Sequence, residues 1–184
     1  MRIALVILLL IAAGVGVLAA VIAGRPSEFS IQRSASMAAP PDIVFGLVND
    51  FHRWEGWSPW AKLDPAMKIR YDGAPAGVGA SYGWQGDRTV GEGRMAITES
   101  KPNEQISVDL QFLKPFAARN VAVFRFEPDS AGTKVTWTMR GQSDFMGKAV
   151  GLFMNMDDLV GRQFEQGLAS MRTLAEGEAL AANR

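Results

Sequence analysis

An unbroken apolar run from Ile3 to Ala23 opens the chain, and beyond it the spacing of apolar residues changes from every second position to every third or fourth. Phe29, Ile31, Arg33, Ala35 and Met37 alternate with Ser30, Gln32, Ser34 and Ser36, the two-residue period of a strand with one buried face. Arg33 interrupts that face without a reason visible in the sequence. Pro40-Pro41-Asp42 stops the strand and opens a helix, along which Ile43, Val44, Leu47 and Val48 form an apolar stripe. A second short helix is expected over Arg53 to Gly56, ending ahead of Ser58-Pro59.

Strand-like segments separated by turn residues follow, with no long helix between them: Met67 to Asp72, Val78 to Gly86, Met95 to Glu99, Ile106 to Leu113, Val121 to Glu127 and Thr133 to Arg140. Short connections of this kind predict an antiparallel meander. Ile106, Val108, Leu110 and Phe112 give the clearest alternation, and Val135, Trp137 and Met139 share one face of the last segment. The period then lengthens. Met156, Val160, Phe164, Leu168, Met171 and Leu174 recur every three or four residues, a stripe wide enough to cover a sheet. The apolar stretch Asp144 to Asn155, with Gly147 and Gly151, predicts a kink or break in this helix before Asp157.

As a helix, the 21 residues from Ile3 to Ala23 span about 32 Å at ~1.5 Å per residue, close to the ~30 Å hydrocarbon core of a bilayer. The run exceeds the ~7–15 residues of a signal-peptide core, so a membrane anchor through residues 3–23 is the preferred reading over a cleaved signal. Arg2 lies before it and Arg25 and Arg33 after it; a two-residue leading tail left in the cytoplasm gives a single-pass protein of the inner (cytoplasmic) membrane with a periplasmic domain. The expected organisation is an anchor or signal over 1–26, one domain over 27–177 and a tail over 178–184.

Composition narrows the chemistry. Nineteen basic and 19 acidic residues are interspersed, which leaves no basic face for nucleic acid. Cysteine is absent and His52 is the only histidine, so disulfides, thiolate nucleophiles and multi-histidine metal sites are excluded, and no metal site is expected. Gly77-Val-Gly79-Ala-Ser-Tyr-Gly83 has neither the spacing nor the strand-to-helix setting of a dinucleotide loop, so no cofactor is expected.

A strand, two short helices, a curved antiparallel sheet and a long C-terminal helix make an α+β chain that resembles the helix-grip fold of the START-like (SRPBCC) superfamily, within it the bacterial polyketide cyclase/dehydrase and lipid-transport group. The resemblance covers about Phe29 to Leu174. It rests on Ala39-Pro40-Pro41-Asp42-Ile43-Val44-Phe45, the Trp54-to-Trp60 segment, Trp84-Gln85-Gly86 with Gly91 to Met95, and Thr133 to Trp137. It implies a deep, largely apolar cavity between the sheet and the long helix, in which different members hold lipids, sterols, hormones or polyketide intermediates. The family shares a container rather than a reaction, and no catalytic set transfers to these residues.

Trp54, Trp57 and Trp60 place three of the five tryptophans within seven residues and are candidates for the rim or lid of such a cavity, with indole N–H groups to orient a ligand; packing of the helices on the sheet is the competing role. Tyr82, Trp84, Phe112, Trp137 and Phe164 fall on inferred inward faces and are candidates for its lining, core filling being the competing role. Glu92, Arg94, Asp109, Arg119, Arg125 and Arg140 lie in strands; one turned inward would suit acid-base work, but most are expected on the wet face. His52 is expected at the surface or in a cap. The function expected is a membrane-anchored binding domain for a hydrophobic small molecule or lipid. The alternatives are a cyclase- or dehydrase-type enzyme with an inward polar group, or a protein-interaction module of co-chaperone type using an exposed tryptophan patch.

Overall fold

The computed structural model describes residues 2–182 and 184. The two-residue periodicities become seven strands: β1 (Glu28–Met37), β2 (Lys68–Gly73), β3 (Ala80–Gln85), β4 (Glu92–Lys101), β5 (Gln105–Lys114), β6 (Ala118–Asp129) and β7 (Gly132–Gln142). They pair antiparallel in the order β1-β7-β6-β5-β4-β3-β2. Helices α1 (Arg2–Ala23), α2 (Pro41–Asn49), α3 (Phe145–Phe153) and α4 (Met156–Ala182) and a 3-10 helix over Phe51–Gly56 complete the chain. This is the helix-grip architecture of an α+β chain with an apolar N-terminal helix.

Register assembles the core. Across the inner face of the sheet, Ile106 pairs with Phe124 and Phe124 with Trp137, while Met95 stands opposite Leu110 and Ala122 opposite Met139. Phe124, Trp137, Phe164, Leu168 and Met171 are buried where α4 crosses this face. Trp137 stacks face to face on Phe164 of α4 with centroids 4.0 Å apart and planes 5° from parallel, and on its other side lies 4.9 Å from Phe124. Irregularities in β4 at Glu92/Gly93 and Ile97/Glu99 help the sheet to curve.

The expected break before Asp157 is present. The Asp144 carboxylate accepts the Gly147 N–H at 2.7 Å to start α3, which ends at Phe153 with Met154 as its cap, and Asn155 accepts the Asp158 N–H at 3.3 Å to start α4. The stripe ending at Leu174 understates α4. Its last turns bury Ala175 and Ala179, and Glu178 pairs with Arg53, so α4 runs on through residues 178–182 of the stretch expected as a tail.

Arg33 finds its reason in α4. The guanidinium reaches from edge strand β1 to Asp157 (Nη2 to Oδ2, 3.0 Å) and Glu165 (Nε to Oε1, 2.8 Å), and donates to the Asp157 carbonyl at 3.1 Å. It lies flat over Gly161, where a Cβ would come within 2.0 Å of Nη2. The Arg33 hydrogen bonds hold the Asp157 carboxyl below its ordinary range. A lowered folded-state pKa stabilises above the carboxylate's unfolded value and is lost as the pH falls through the folded one. Arg33→Met is expected to lower the melting temperature at pH 7, and the gap to the parent to close as the pH drops below about 4; calorimetry against pH reads both.

Candidate functional site

Two indoles tie the tryptophan segment to the helix before it. α2 ends at Asn49 with its last carbonyls unpaired within the helix. Trp54 Nε1 donates to the Val48 carbonyl and Trp57 Nε1 to the Leu47 carbonyl, both at 2.9 Å. These N–H groups therefore cap α2 and do not face a ligand. Trp57 is fully buried behind Trp54 (centroids 4.6 Å) and edge-on to Phe124 and Trp137. It belongs to the core rather than to a rim.

Beside this core lies a cavity of about 250 Å³ between the inner face of the sheet, the Trp54-to-Ala61 segment and α4. Trp54, Trp60, Tyr82, Trp84, Phe112, Trp137 and Phe164 line it, seven of the eight candidates read from the sequence. Trp60 stands edge-on to Trp137 and Phe164 and closes the side toward α4. Trp84 lies over Gly93, where a Cβ would sit 2.3 Å from its ring, and donates from Nε1 to the Val90 carbonyl at 3.0 Å. Only a glycine on β4 lets the indole lie down on the sheet.

Choosing aromatic residues missed part of the wall. Ile69, Tyr71, Met95, Leu110, Ala122 and Met139 also line the cavity. Leu110 and Met139 were legible, since they share strand parity with Phe112 and Trp137; Ile69 and Tyr71 come from edge strand β2, whose placement depends on pairing with β3.

The wall is predominantly apolar, with few polar groups. Nε1 of Trp137 is the one buried side-chain nitrogen or oxygen without a hydrogen-bond partner among the described residues. Burial, with smaller effects of Tyr71 and the Glu55 carboxylate, pushes the Tyr82 hydroxyl up to about 12, and burial raises Tyr71 as well. Glu55, Ser58 and Thr89 supply the remaining polar side chains of the lining.

None of the six strand charges enters the cavity. Asp109 pairs with Arg119 at 2.7 Å, which holds its carboxyl low, and Glu92 pairs with Lys114 at 2.7 Å. Arg94 donates to Gln111 at 2.9 Å and Arg125 to Gln105 at 3.2 Å, and Arg140 is exposed. His52 is an exposed residue of the 3-10 helix: its ring stacks on Tyr71 with centroids 4.0 Å apart, its Nδ1 meets Asp50 Oδ1 at 2.8 Å, and the same oxygen accepts its backbone N–H. Among the described residues no group of three or more His, Cys, Asp or Glu side chains could hold a metal.

Tyr71 and Tyr82 are the only tyrosines, so alkaline absorbance titration reads the cavity wall directly. Phenolate should appear only above pH 10, and Tyr71→Phe should leave one step near pH 12. The unfolded chain ionises first, at about 10, so stability should fall as the pH rises from there toward 12, and Tyr82→Phe should flatten that fall.

Solved structures of low sequence identity share this architecture. A protein from Chromobacterium violaceum matches with a TM-score of 0.59 at 16% identity, over 80% of this chain and 96% of the other. A protein of unknown function from Staphylococcus aureus matches with a TM-score of 0.62 at 12% identity, over 84% and 97%. The Aha1 dimer from Colwellia psychrerythraea matches with a TM-score of 0.56 at 14% identity, over 80% and 96%. At these identities the likeness is one of fold. No curated protein matches the sequence. The model of one family does match, over residues 28–176, which run from the first residue of β1 into the late turns of α4: the chain belongs to the polyketide cyclase / dehydrase and lipid transport family.

Proposed function

We propose that this protein binds a hydrophobic small molecule or a lipid acyl chain in the cavity beneath α4, held at a membrane by α1. The single observation that carries the reading is a cavity of about 250 Å³ walled by aromatic and aliphatic side chains in an otherwise well-packed domain. Packed interiors contain few voids larger than a water molecule, and a dry apolar cavity of ~150 Å³ already suffices for a benzene-sized guest. Burial of apolar ligand surface contributes roughly 25 cal/mol per Å², which drives binding without any charged partner.

Polar groups supply orientation. The unpartnered Trp137 Nε1–H and the Tyr82 hydroxyl, kept protonated far above neutral pH, are donors suited to a ligand carbonyl, carboxyl or hydroxyl oxygen. Binding is preferred to catalysis because the lining carries one carboxylate, Glu55, on an exposed residue, and neither arginine nor histidine. A tryptophan-patch interaction module is disfavoured by the burial of Trp54 and Trp57. The span Ile3–Ala23, with a mean hydropathy of 3.1 and almost wholly exposed, supports an anchor. Placing it in the inner membrane with the domain in the periplasm is part of the same proposal.

Native mass spectrometry of the full chain, purified from its host in lipid nanodiscs, tests the container: a co-purifying hydrophobic mass is expected, and a protein that is empty and also fails to bind a hydrophobic fluorescent probe overturns it. Ala122→Phe, which pushes a ring into the cavity at a cost of about 1–3 kcal/mol to stability, should abolish probe binding while the chain stays folded. Trp137→Phe keeps the stack and removes the donor. It is expected to weaken an oxygen-bearing ligand by about 0.5–1.5 kcal/mol and a pure hydrocarbon hardly at all, as calorimetric titration would report.

A further inference from the structure

α3 is turned inside out relative to an ordinary surface helix. None of its residues is buried, and Phe145, Met146, Val150 and Phe153 point outward, Phe153 with 83% of its surface exposed. Helices on a soluble domain place such a stripe against the core. The outward face of α3 is apolar, and it continues into exposed Met154 and Leu159 around the start of α4.

Its position is equally specific. α3 contacts the C-terminal end of α1, where Ile22 is buried, Lys148 Nζ donates to the Ala23 carbonyl at 3.4 Å, and the Ser143 N–H donates to the Ser27 carbonyl at 2.7 Å. The tip between β5 and β6 lies at the same end of the sheet, because Phe112 pairs with Ala118 while Asn120 pairs with Gly141 near the end of β7. That tip carries Phe116, 77% exposed. By contrast, the opposite end is formed by the β4–β5 and β6–β7 turns, with Glu104, Asp129 and Ser130.

The cavity reaches toward the apolar end. Along β5, Val108 is buried while Leu110 and Phe112 are half-buried, and Met139, Thr89, Val90 and Val160 bring the lining to the same side. An apolar surface continuous with the exit of a bilayer-length helix has one occupant that matches it along its whole extent, a lipid surface.

We propose that α3 and the β5–β6 tip form a membrane-docking surface that seats the domain on the same bilayer α1 spans, with the near end of the cavity against the lipid. The inference rests on reading α1 as a membrane span. It goes beyond anchoring, since a domain on a tether alone would leave Phe153 and Phe116 in water.

The chain has no cysteine, so single cysteines report their own surroundings. Phe153→Cys and Phe116→Cys, with Val15→Cys inside α1 and Val78→Cys and Leu180→Cys at the far end, are labelled with the fluorophore NBD. The full chain is then reconstituted into phosphatidylcholine/phosphatidylglycerol vesicles with or without doxyl-labelled acyl chains. The expected result is blue-shifted emission, most of it lost to doxyl lipid, at 153, 116 and 15, and green, unquenched emission at 78 and 180. Quenching at 15 with none at 153 and 116 keeps the anchor and overturns docking. Quenching at 153 and 116 with none at 15 removes the span on which the inference rests and overturns it as stated. A blue shift at 153 that doxyl lipid does not touch assigns the face to a second protein copy and overturns the proposal, as does green, unquenched emission at 153, 116 and 15 together.

Discussion

The stack of Phe124, Trp137 and Phe164 sets the spacing on which the rest of the molecule depends. Phe124 and Trp137, partners on β6 and β7, meet at 4.9 Å and 28°, and Phe164 of α4 lies on Trp137 at 4.0 Å and 5°, so the stack ties α4 to the sheet. Flat rings cannot interdigitate as leucines do, so a helix propped on them at one place cannot collapse onto the sheet elsewhere without breaking the stack. Arg33 fixes the same helix along the edge strand through Asp157 and Glu165. Prop and clamp together leave the space between β2 to β5 and α4 open, and that space is the cavity.

Electrostatics are kept out of this space by alternation. Each strand that sends Leu110 or Phe112 inward sends Asp109 and Gln111 outward, where Asp109 meets Arg119 of β6 and Gln111 meets Arg94 of β4. These pairs are solvent-screened and contribute little individually, but they leave the sheet's side of the wall without ions to desolvate. For the ligand-binding role proposed above, selectivity would then come from shape and from very few donors. Solved structures at 12–16% identity share the fold that builds this wall.

The molecule is also polarised end to end. The α2 end carries the turns with Glu104, Asp129 and Ser130, and the Ala38 N–H is held there by Glu176 near the C-terminus of α4. At the other end α1, α3 and the β5–β6 tip come together with their apolar side chains facing out. A domain in water would hide that surface; one standing on a bilayer would not need to.

Local pattern alone determined the order and type of the elements in this protein. The alternation in β5 and β7, the stop at Pro40-Pro41 and the three-to-four spacing after Met156 are properties of neighbouring residues, and helix or strand periodicity is a local matter. Strand parity likewise pointed Tyr82, Trp84, Phe112 and Trp137 inward. Tertiary structure alone decided which inward residues face a space and which face each other. Trp57 and Trp60 are three residues apart and chemically identical, yet one is sealed in the core by the Leu47 carbonyl and the other walls a cavity. The fate of each depends on Phe124, Trp137 and Phe164, which lie more than sixty residues away along the chain. Arg33 is the same case, since a charge on an apolar strand face has no local explanation and a complete one once Asp157, Glu165 and Gly161 stand opposite it. Periodicity records which side of an element is dry; only the packing of distant elements decides whether the dry side meets another side chain or a cavity.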